Sequence, residues 1–277
     1  PFCNVRSREF VIQLVIVLKY GGHALPKAGE VDEILRVIAD YHSSGKKIVL
    51  VHGGGPQVDA ELAIHQIRTE MISGYRATTP EVFEVVQKVL SGQVLRTLVN
   101  QLIGYGANAV GLSAGDGATI RATRMSPVVD GRHVDIGLVG DATESNGSFL
   151  SLLLENGYLP VISPVGVSSD GLGLNLNGDL AAGAIAGALN ADEAIFMTDV
   201  DGIYRNYPDA TSIISTMTAA ELREMQPGFA AGMIPKSKAA LAALDSGAQR
   251  ARVINGRNFQ NLEKALKGEG GTVISRG

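Results

Sequence analysis

Short apolar runs rich in β-branched residues alternate along the chain with segments whose apolar residues recur at helical spacing. The runs predict strands at 11–18, 47–52, 108–112, 158–163, 194–198 and 251–254. Between the first two, one face of a predicted helix carries Val31, Ile34, Leu35 and Ile38. Strands that alternate with helices in this way are typical of βαβ units. The pattern therefore predicts an α/β fold with a mainly parallel sheet and helices on both faces.

Local signals predict where two further helices begin. Thr79 is a capping residue, Pro80 suits the first helical position, and Glu81 places an acid at the positive end of the helix dipole. Thr218 and Glu221 have the spacing of a capping box. Residues 116–147 mix turn residues with short β-prone pieces, which predicts a hairpin elaboration. Because no proline-rich linker interrupts the chain, any two lobes must share the sheet.

Charge and composition exclude several classes of protein. The 277 residues have a net charge of −4 with both signs scattered along the chain, so a basic nucleic-acid-binding stripe is absent. The single cysteine, Cys3, cannot form an internal disulfide, and no cysteine and histidine cluster has zinc-ligand spacing. The apolar stretch at 10–18 is too short to span a membrane and fits a buried strand. These features predict a cytoplasmic protein without a nucleic-acid or membrane partner.

Two glycine-rich loops follow predicted strands. The strand at 47–52 ends in His52 and leads through the glycine triplet 53–55 into a helix. Bare backbone N–H groups beside a helix N-terminus can cradle an anion, although a ligand-free turn is the alternative. The loop matches neither the dinucleotide-binding fingerprint nor the P-loop. Gly21 and Gly22 follow the first strand in the same manner, and in a parallel sheet such loops meet at one edge.

Charged and amide residues occupy the other junctions. Lys19 ends an otherwise apolar strand, where its burial is unfavourable unless the ammonium group faces a ligand. Asn175, Asn177 and Asp179 precede a helix of small residues, and capping requires just one of these three. Lys236 lies at the start of another predicted helix, where a cation opposes the helix dipole unless an anion binds there. The junctions together predict an anion-handling site at the carboxyl edge of the sheet.

Taken in order, these junctions resemble the acetylglutamate kinases of the amino-acid kinase superfamily over nearly the whole chain. The matching segments are KYGGHA at 19–24, VHGGGPQ at 51–57, GYRAT at 74–78, VGLS at 110–113, DIGLVG at 135–140, NLNGD at 175–179, TDVDG at 198–202 and GMIPK at 232–236. The resemblance implies a three-layer αβα sandwich with a mainly parallel open sheet. It also implies two lobes that share this sheet, an acylamino-acid-binding lobe at about 1–190 and an ATP-binding lobe at about 191–277.

The resemblance implies transfer of the γ-phosphoryl group of ATP to the side-chain carboxylate of N-acetyl-L-glutamate, giving N-acetyl-L-glutamyl 5-phosphate in arginine biosynthesis. Lys19 and Lys236 would stabilise the transferring phosphoryl group, and Asp179 would hold both lysines in place. Mg²⁺ would be carried on the nucleotide, with no metal held by the protein itself. Because a carboxylate is already an ionised nucleophile, the reaction requires charge cancellation and no general base. His23 and His52 therefore need no catalytic part.

Binding residues follow from the same resemblance. Backbone N–H groups of Gly22 and Gly54 would bind the phosphoryl oxygens, Arg76 would bind the α-carboxylate bidentately, and Asn175 would bind the acetamido group. The acylamino acid would be bordered by Gly22, Gly54, Gly55, Arg76, Asn175 and Asn177. The nucleotide would be bordered by Asp199, Val200, Asp201, Gly202, Ile203, Tyr204, Gly228, Phe229 and Ala230.

The resemblance implies a homodimer at least, and hexamers occur among arginine-regulated members. The segment at 269–272 is similar to the carboxy-terminal element of arginine-sensitive members, which predicts feedback inhibition by arginine.

Two alternative functions remain open. A sister kinase would act on aspartate, a carrier-bound aminoadipate, carbamate or a nucleoside monophosphate, but Arg76 and Asn175 in their contexts favour acetylglutamate. A catalytically silent sensor with this fold would have no reason to keep Lys19, Asp179 and Lys236 at a buried phosphate site.

Overall fold

The computed structural model describes residues 14–21, 32–229 and 233–277. The strands in this part of the chain are β1 (Val15–Tyr20), β2 (Lys47–His52), β3 (Met71–Ile72), β4 (Tyr75–Arg76), β5 (Ala109–Ser113), β6 (Ile120–Arg124), β7 (Val128–Val129), β8 (Arg132–His133), β9 (Val139–Ser145), β10 (Leu159–Ser163), β11 (Val165–Val167), β12 (Gly173–Leu176), β13 (Glu193–Thr198), β14 (Ile203–Tyr204), β15 (Ile213–Ile214), β16 (Thr216–Thr218), β17 (Arg250–Asn255) and β18 (Thr272–Ser275). The helices are α1 (Glu33–Ser43), α2 (Gly55–Ile64), α3 (Pro80–Gln87), α4 (Leu95–Gly104), α5 (Ser148–Glu155), α6 (Gly178–Ala188), α7 (Ala219–Met225), α8 (Ile234–Ser246) and α9 (Phe259–Leu266), and a π-helical segment (Lys88–Val94) joins α3 to α4.

Eight strands form the central sheet in the order β16, β18, β17, β13, β1, β2, β10, β5. Neighbouring strands are parallel except for β17 and β18. Strands that follow residue 190 lie on one side of β1, and earlier strands lie on the other. The lobe boundary near residue 190 stays a prediction. Each of the six predicted strands corresponds to a strand of this sheet. β1 continues past the predicted end near residue 18 to Tyr20, and residues 11–13 of that prediction lie outside the described residues.

Helices cover both faces of the sheet. Consecutive strand residues point to opposite faces, and Lys19 and Tyr20 on β1 illustrate this. The Lys19 side chain reaches Asp179 in the first turn of α6, whereas the Tyr20 hydroxyl donates a hydrogen bond to Asp32, the N-cap of α1. α6 packs on α8 over one face, and α1 packs on α4 and α9 over the other. This confirms the three-layer αβα sandwich that the resemblance implies.

The central strands carry the core of the protein. Leu18, Leu50, Val161 and Ile195 on four adjacent strands are fully buried. Each such side chain contributes about 1.5–3 kcal/mol through burial. Loops that leave the carboxyl ends of these strands are therefore attached to a well-packed core.

The predicted helix starts are confirmed. The Thr79 hydroxyl accepts a hydrogen bond from the Val82 N–H at 3.2 Å, and Thr218 and Glu221 form both hydrogen bonds of a capping box. Capping residues satisfy N–H groups that have no partner within the helix, which is why these positions begin α3 and α7.

The predicted hairpin elaboration contains β6 to β9. β6 pairs with β9 and β7 pairs with β8, both antiparallel. β6 and β9 also join β11 and β12 in a small four-stranded barrel that the sequence did not predict. No helix in the described residues is long and apolar enough to cross a membrane.

Candidate functional site

Lys19 lies near the carboxyl end of β1, where three glycine-containing segments meet. Its ammonium group is 3.0 Å from the Asp179 carboxylate, and the two side chains are 12% and 14% exposed, so water screens this pair poorly. A Cβ atom on Gly21 would lie 3.2 Å from Lys19 Nζ and 3.0 Å from the Gly53 nitrogen. A Cβ atom on Gly178 would lie 3.8 Å from Lys19 Cε. The absence of side chains thus lets three backbone segments approach one cation.

The loop after β2 presents backbone N–H groups beside this cation. Gly53 donates its N–H to the Tyr20 carbonyl at 2.8 Å. Within the described part of the chain, the N–H groups of Gly54 and Gly55 donate to no acceptor, and α2 begins at Gly55. Gly54 has a φ of 150°, and a Cβ atom there would lie 2.6 Å from Leu90 Cδ2, so the position requires glycine. The loop is an anion cradle with the positive end of a helix dipole behind it.

A cavity lies next to the cradle, between the β3–β4 hairpin and the start of α6. It is lined by Gly53, Gly54, Gly55, Val58, Met71, Gly74, Tyr75, Arg76, Val86, Leu90, Val139, Pro164, Asn175, Leu176, Asn177 and Gly178. We call it the first cavity. Its wall is mostly apolar with a few polar groups, which is typical of sites for small molecules.

Arg76 and Asn175 are fixed in the wall of the first cavity. Arg76 Nη1 is 2.6 Å from the Asp59 carboxylate, and the arginine side chain is 12% exposed against 63% for the aspartate. Thr78 links the two residues, since its hydroxyl donates to the Arg76 carbonyl at 2.7 Å and accepts from the Asn175 amide at 3.2 Å. A planar cation and an amide are therefore preorganised for a ligand that carries a carboxylate and a second polar group.

Asn177 also caps a helix. Its side-chain oxygen accepts hydrogen bonds from the N–H groups of Asp179 at 2.9 Å and Leu180 at 3.1 Å, which makes it the N-cap of α6. Asn177 is thus the one residue of the predicted trio that capping explains. Asn175 and Asp179 remain available for the site.

A second cavity lies at the carboxyl end of β13. It is lined by Thr198, Asp199, Val200, Ile203, Tyr204, Arg205, Tyr207, Gly228, Phe229, Met233 and Lys236. Two of the predicted nucleotide-binding residues, Asp201 and Gly202, are absent from this lining among the described residues. Asp201 instead accepts a hydrogen bond from Asn255 at 2.8 Å, and Gly202 packs against Thr272. Gly22 and Ala230, also predicted for the site, lie outside the described residues.

The charge of Lys236 affects the pKa of Asp199 in the second cavity. Partial desolvation opposes ionisation of Asp199, but the Thr198 hydroxyl and the charges of Lys236 and Arg257 outweigh it and lower the pKa of the carboxyl group. Asp199 is therefore ionised at neutral pH. A third cavity shares Gly74, Tyr75 and Asn177 with the first and reaches Ile234 and Lys238 of α8. The first turns of this helix therefore border both the second and the third cavity.

Sequence reasoning missed several lining residues. Tyr75 lies between two recognised motif residues and could have been included with them. Arg205 and Tyr207 follow Tyr204 directly, and the Tyr204 and Tyr207 rings meet edge-to-face with centroids 5.4 Å apart. Leu90 comes from the π-helical segment and carries no signal in the sequence.

The carboxy-terminal element at 269–272 is anchored on the sheet. Arg252, which is buried and paired with Glu193 at 2.7 Å, donates to the Gly270 carbonyl at 2.6 Å. The Thr272 hydroxyl accepts from the Ile203 N–H and donates to the Ile214 carbonyl. The Thr272 side chain is therefore engaged in structural hydrogen bonds, and arginine inhibition stays a prediction.

Comparisons with known proteins identify the family. The profile of the amino acid kinase family matches residues 15–255. The chain is 45% identical over 252 residues to a protein of Arthrobacter sp. (strain FB24) named acetylglutamate kinase, covering 87% of this chain and 80% of that one. It is 42% identical over 264 residues to a protein of the same name from Salinispora tropica, covering 95% and 90%. The chain belongs to the acetylglutamate kinases of the amino acid kinase family.

Solved structures show the same fold. An N-acetylglutamate synthase from Neisseria gonorrhoeae, complexed with coenzyme A and N-acetyl-glutamate, superimposes with a TM-score of 0.79 at 25% identity. The match covers 95% of this chain and 60% of the synthase chain. A carbamate kinase from Giardia lamblia bound to AMP-PNP superimposes with a TM-score of 0.67 at 22% identity, covering 96% and 99%.

Proposed function

We propose that this acetylglutamate kinase family member transfers the γ-phosphoryl group of ATP to the side-chain carboxylate of N-acetyl-L-glutamate. The observation that carries the proposal is the Lys19–Asp179 pair, which lies beside an anion cradle next to a cavity lined by Arg76 and Asn175. The names of the similar proteins and the kinase family support the same reaction.

In this proposal the acylamino acid occupies the first cavity. Arg76 binds the α-carboxylate, Asn175 binds the acetamido group, and the apolar wall contacts the methylene groups. Asn177, Gly54 and Gly55 border the ligand. The side-chain carboxylate then points to Lys19.

ATP occupies the second cavity, with its phosphates directed to Lys236 and to the cradle. Tyr204 and Phe229 supply apolar surface for the base, and Asp199 and Val200 border the nucleotide. The described residues contain no cluster of three histidine, cysteine, aspartate or glutamate side chains that could hold a metal ion. In this proposal Mg²⁺ is carried on the nucleotide, where it would offset the charge of the phosphates.

The chemistry follows from charge. A carboxylate oxygen attacks the γ-phosphorus, the bond to the β-phosphate oxygen breaks, and ADP leaves with the bonding electrons. The nucleophile is ionised at neutral pH, so no proton has to be removed. Lys19, Lys236 and the Gly54 N–H stabilise negative charge on the equatorial oxygens, and Asp179 keeps the Lys19 ammonium group in position. A homodimer and a cytoplasmic location stay predictions.

A coupled ADP-release assay with N-acetylglutamate, glutamate, aspartate and carbamate tests the proposal. We expect N-acetylglutamate to be the best acceptor. Glutamate lacks the acetamido group that Asn175 would bind, and loss of this hydrogen bond costs about 1–3 kcal/mol or about 5- to 150-fold in kcat/KM. A preference for aspartate or carbamate would instead support a sister kinase, and no acceptor-dependent ADP release would support a silent sensor.

A further inference from the structure

His52, the last residue of β2, is fully buried and hydrogen-bonds the loop that it precedes. Its Nδ1 lies 2.7 Å from the Gly53 carbonyl oxygen. Because a carbonyl oxygen can only accept, Nδ1 carries the proton and donates. Burial lowers the pKa of the imidazole to about 4, against a smaller opposing effect of this hydrogen bond. The ring is therefore neutral at physiological pH and has one fixed donor.

The hydrogen bond orients a peptide group of the anion cradle. The bond between Gly53 and Gly54 is trans, so its C=O and N–H groups point in opposite directions. The imidazole holds the Gly53 carbonyl on the interior side of the loop. The Gly54 N–H consequently points away from the Gly53 carbonyl oxygen that faces His52, and Gly54 lines the first cavity.

Packing alone does not favour histidine at this position. His52 Nε2 is buried and has no hydrogen-bond partner in the described part of the chain. A leucine would fill similar space without an unpartnered buried nitrogen atom, which is unfavourable. The property that leucine lacks is the Nδ1–H donor to Gly53.

We propose that His52 is a positioning residue that orients the Gly54 N–H towards the oxygens of the transferring phosphoryl group. A glycine triplet is the most flexible backbone available, and a donor stabilises a transition state best when it is already oriented. His52 does this without touching substrate or nucleotide. The inference rests on the proposed kinase function and adds a residue to it.

Three variants of His52 separate orientation from packing. Asparagine places an amide donor near the position of Nδ1, glutamine places one near Nε2, and leucine has no donor. His42→Leu is a matched control, because His42 also has a buried Nδ1 without a partner among the described residues but lies in the last turn of α1, away from the site.

We expect His52→Leu to lower kcat by about 10- to 100-fold, less than the 10²–10³ for outright loss of an oxyanion donor, because the Gly54 N–H is still present. Both KM values should stay within about threefold. His52→Gln should behave like leucine, whereas His52→Asn should keep kcat within about fivefold of the unmodified chain. His42→Leu should have unchanged kcat. Should the leucine variant fail to fold, the glutamine and asparagine pair makes the same comparison.

A binding measurement gives a second readout. Calorimetry with ADP, aluminium fluoride and N-acetylglutamate, which together mimic the transferring group, should show weaker binding in His52→Leu by the same factor as kcat, with ADP binding unchanged. Full kcat in His52→Leu, or equal losses in the asparagine and glutamine variants, would overturn the positioning role. An unmodified chain without kinase activity would instead overturn the proposed function.

Discussion

Replacing Asp179 with asparagine tests how the site holds its central cation. The substitution keeps the size of the side chain and removes the charge that lies 3.0 Å from the Lys19 ammonium group. Lys19 then loses the charged partner that fixes its position. In the proposed mechanism, a lysine that is free to turn to solvent no longer stabilises the equatorial oxygens.

The expected effect on rate is large and the effect on stability is moderate. Loss of one preorganised charge-stabilising donor lowers kcat by about 10²–10³, equivalent to about 2.7–4 kcal/mol of transition-state stabilisation. Lys19→Met should reach this range, and Asp179→Asn should approach it. Because both side chains are mostly buried, an unpaired partner costs about 1–3 kcal/mol of folding free energy. For a chain of this size that lowers Tm by about 2–6 °C.

The assay measures kcat, both KM values and Tm for each variant. Asp245→Asn is a matched control, because its 2.5 Å pair with Arg223 joins side chains that are 60% and 49% exposed. This exposed pair should contribute under about 1 kcal/mol, and its loss should leave kcat unchanged. If Asp179→Asn kept full kcat with a lowered Tm, the Lys19–Asp179 pair would be structural and the catalytic reasoning refuted.

Three further predictions address the cavities and pH. Arg76→Lys should raise KM for N-acetylglutamate with little change in KM for ATP, because the bidentate contact is lost; an unchanged value would make Arg76 structural. Phe229→Ala should do the reverse, raising KM for ATP alone, and equal effects on both values would reassign the second cavity. The pKa of His52 is about 4 in the folded chain and about 6.5 in the unfolded chain. Between these pH values the unfolded chain binds a proton that the folded chain does not, so the free energy of unfolding decreases as the pH falls from 6.5 to 4. Urea unfolding at pH 7 and 4.5 should show that the free energy of unfolding decreases by about 2–3 kcal/mol less in His52→Asn than in the unmodified chain. The same decrease in both proteins would contradict a neutral, buried imidazole.

Local signals in the sequence predict local structure well. Thr79 and Thr218 begin helices because their hydroxyl groups satisfy N–H groups within the next turn, and this needs no knowledge of the rest of the chain. The cost of burying Lys19 likewise predicts that its ammonium group has a partner of opposite charge, and the structure places the Asp179 carboxylate 3.0 Å from it. Apolar runs predicted the strands, because parallel strands are covered on both faces and are therefore apolar along their whole length.

Contacts between distant segments were not predictable from one sequence. Nothing in the residues near Arg76 indicates that Asp59 pairs with it, and the buried Arg252–Glu193 pair joins two strands 59 residues apart. The small barrel depends on pairings between short strands that have weak individual signals. The π-helical segment that brings Leu90 against Gly54 is a tertiary adjustment, because helical periodicity alone predicts an uninterrupted α-helix there.

The most direct test of the proposed function is to trap the product. An acyl phosphate reacts with hydroxylamine to give a hydroxamate and inorganic phosphate, so ATP, N-acetylglutamate and the enzyme in hydroxylamine should yield one hydroxamate for each ADP released. The yield should fall with the rate in Lys19→Met and Asp179→Asn. Release of ADP without hydroxamate, or hydroxamate formed equally from free glutamate, would contradict the assignment of the side-chain carboxylate of N-acetylglutamate as the phosphoryl acceptor.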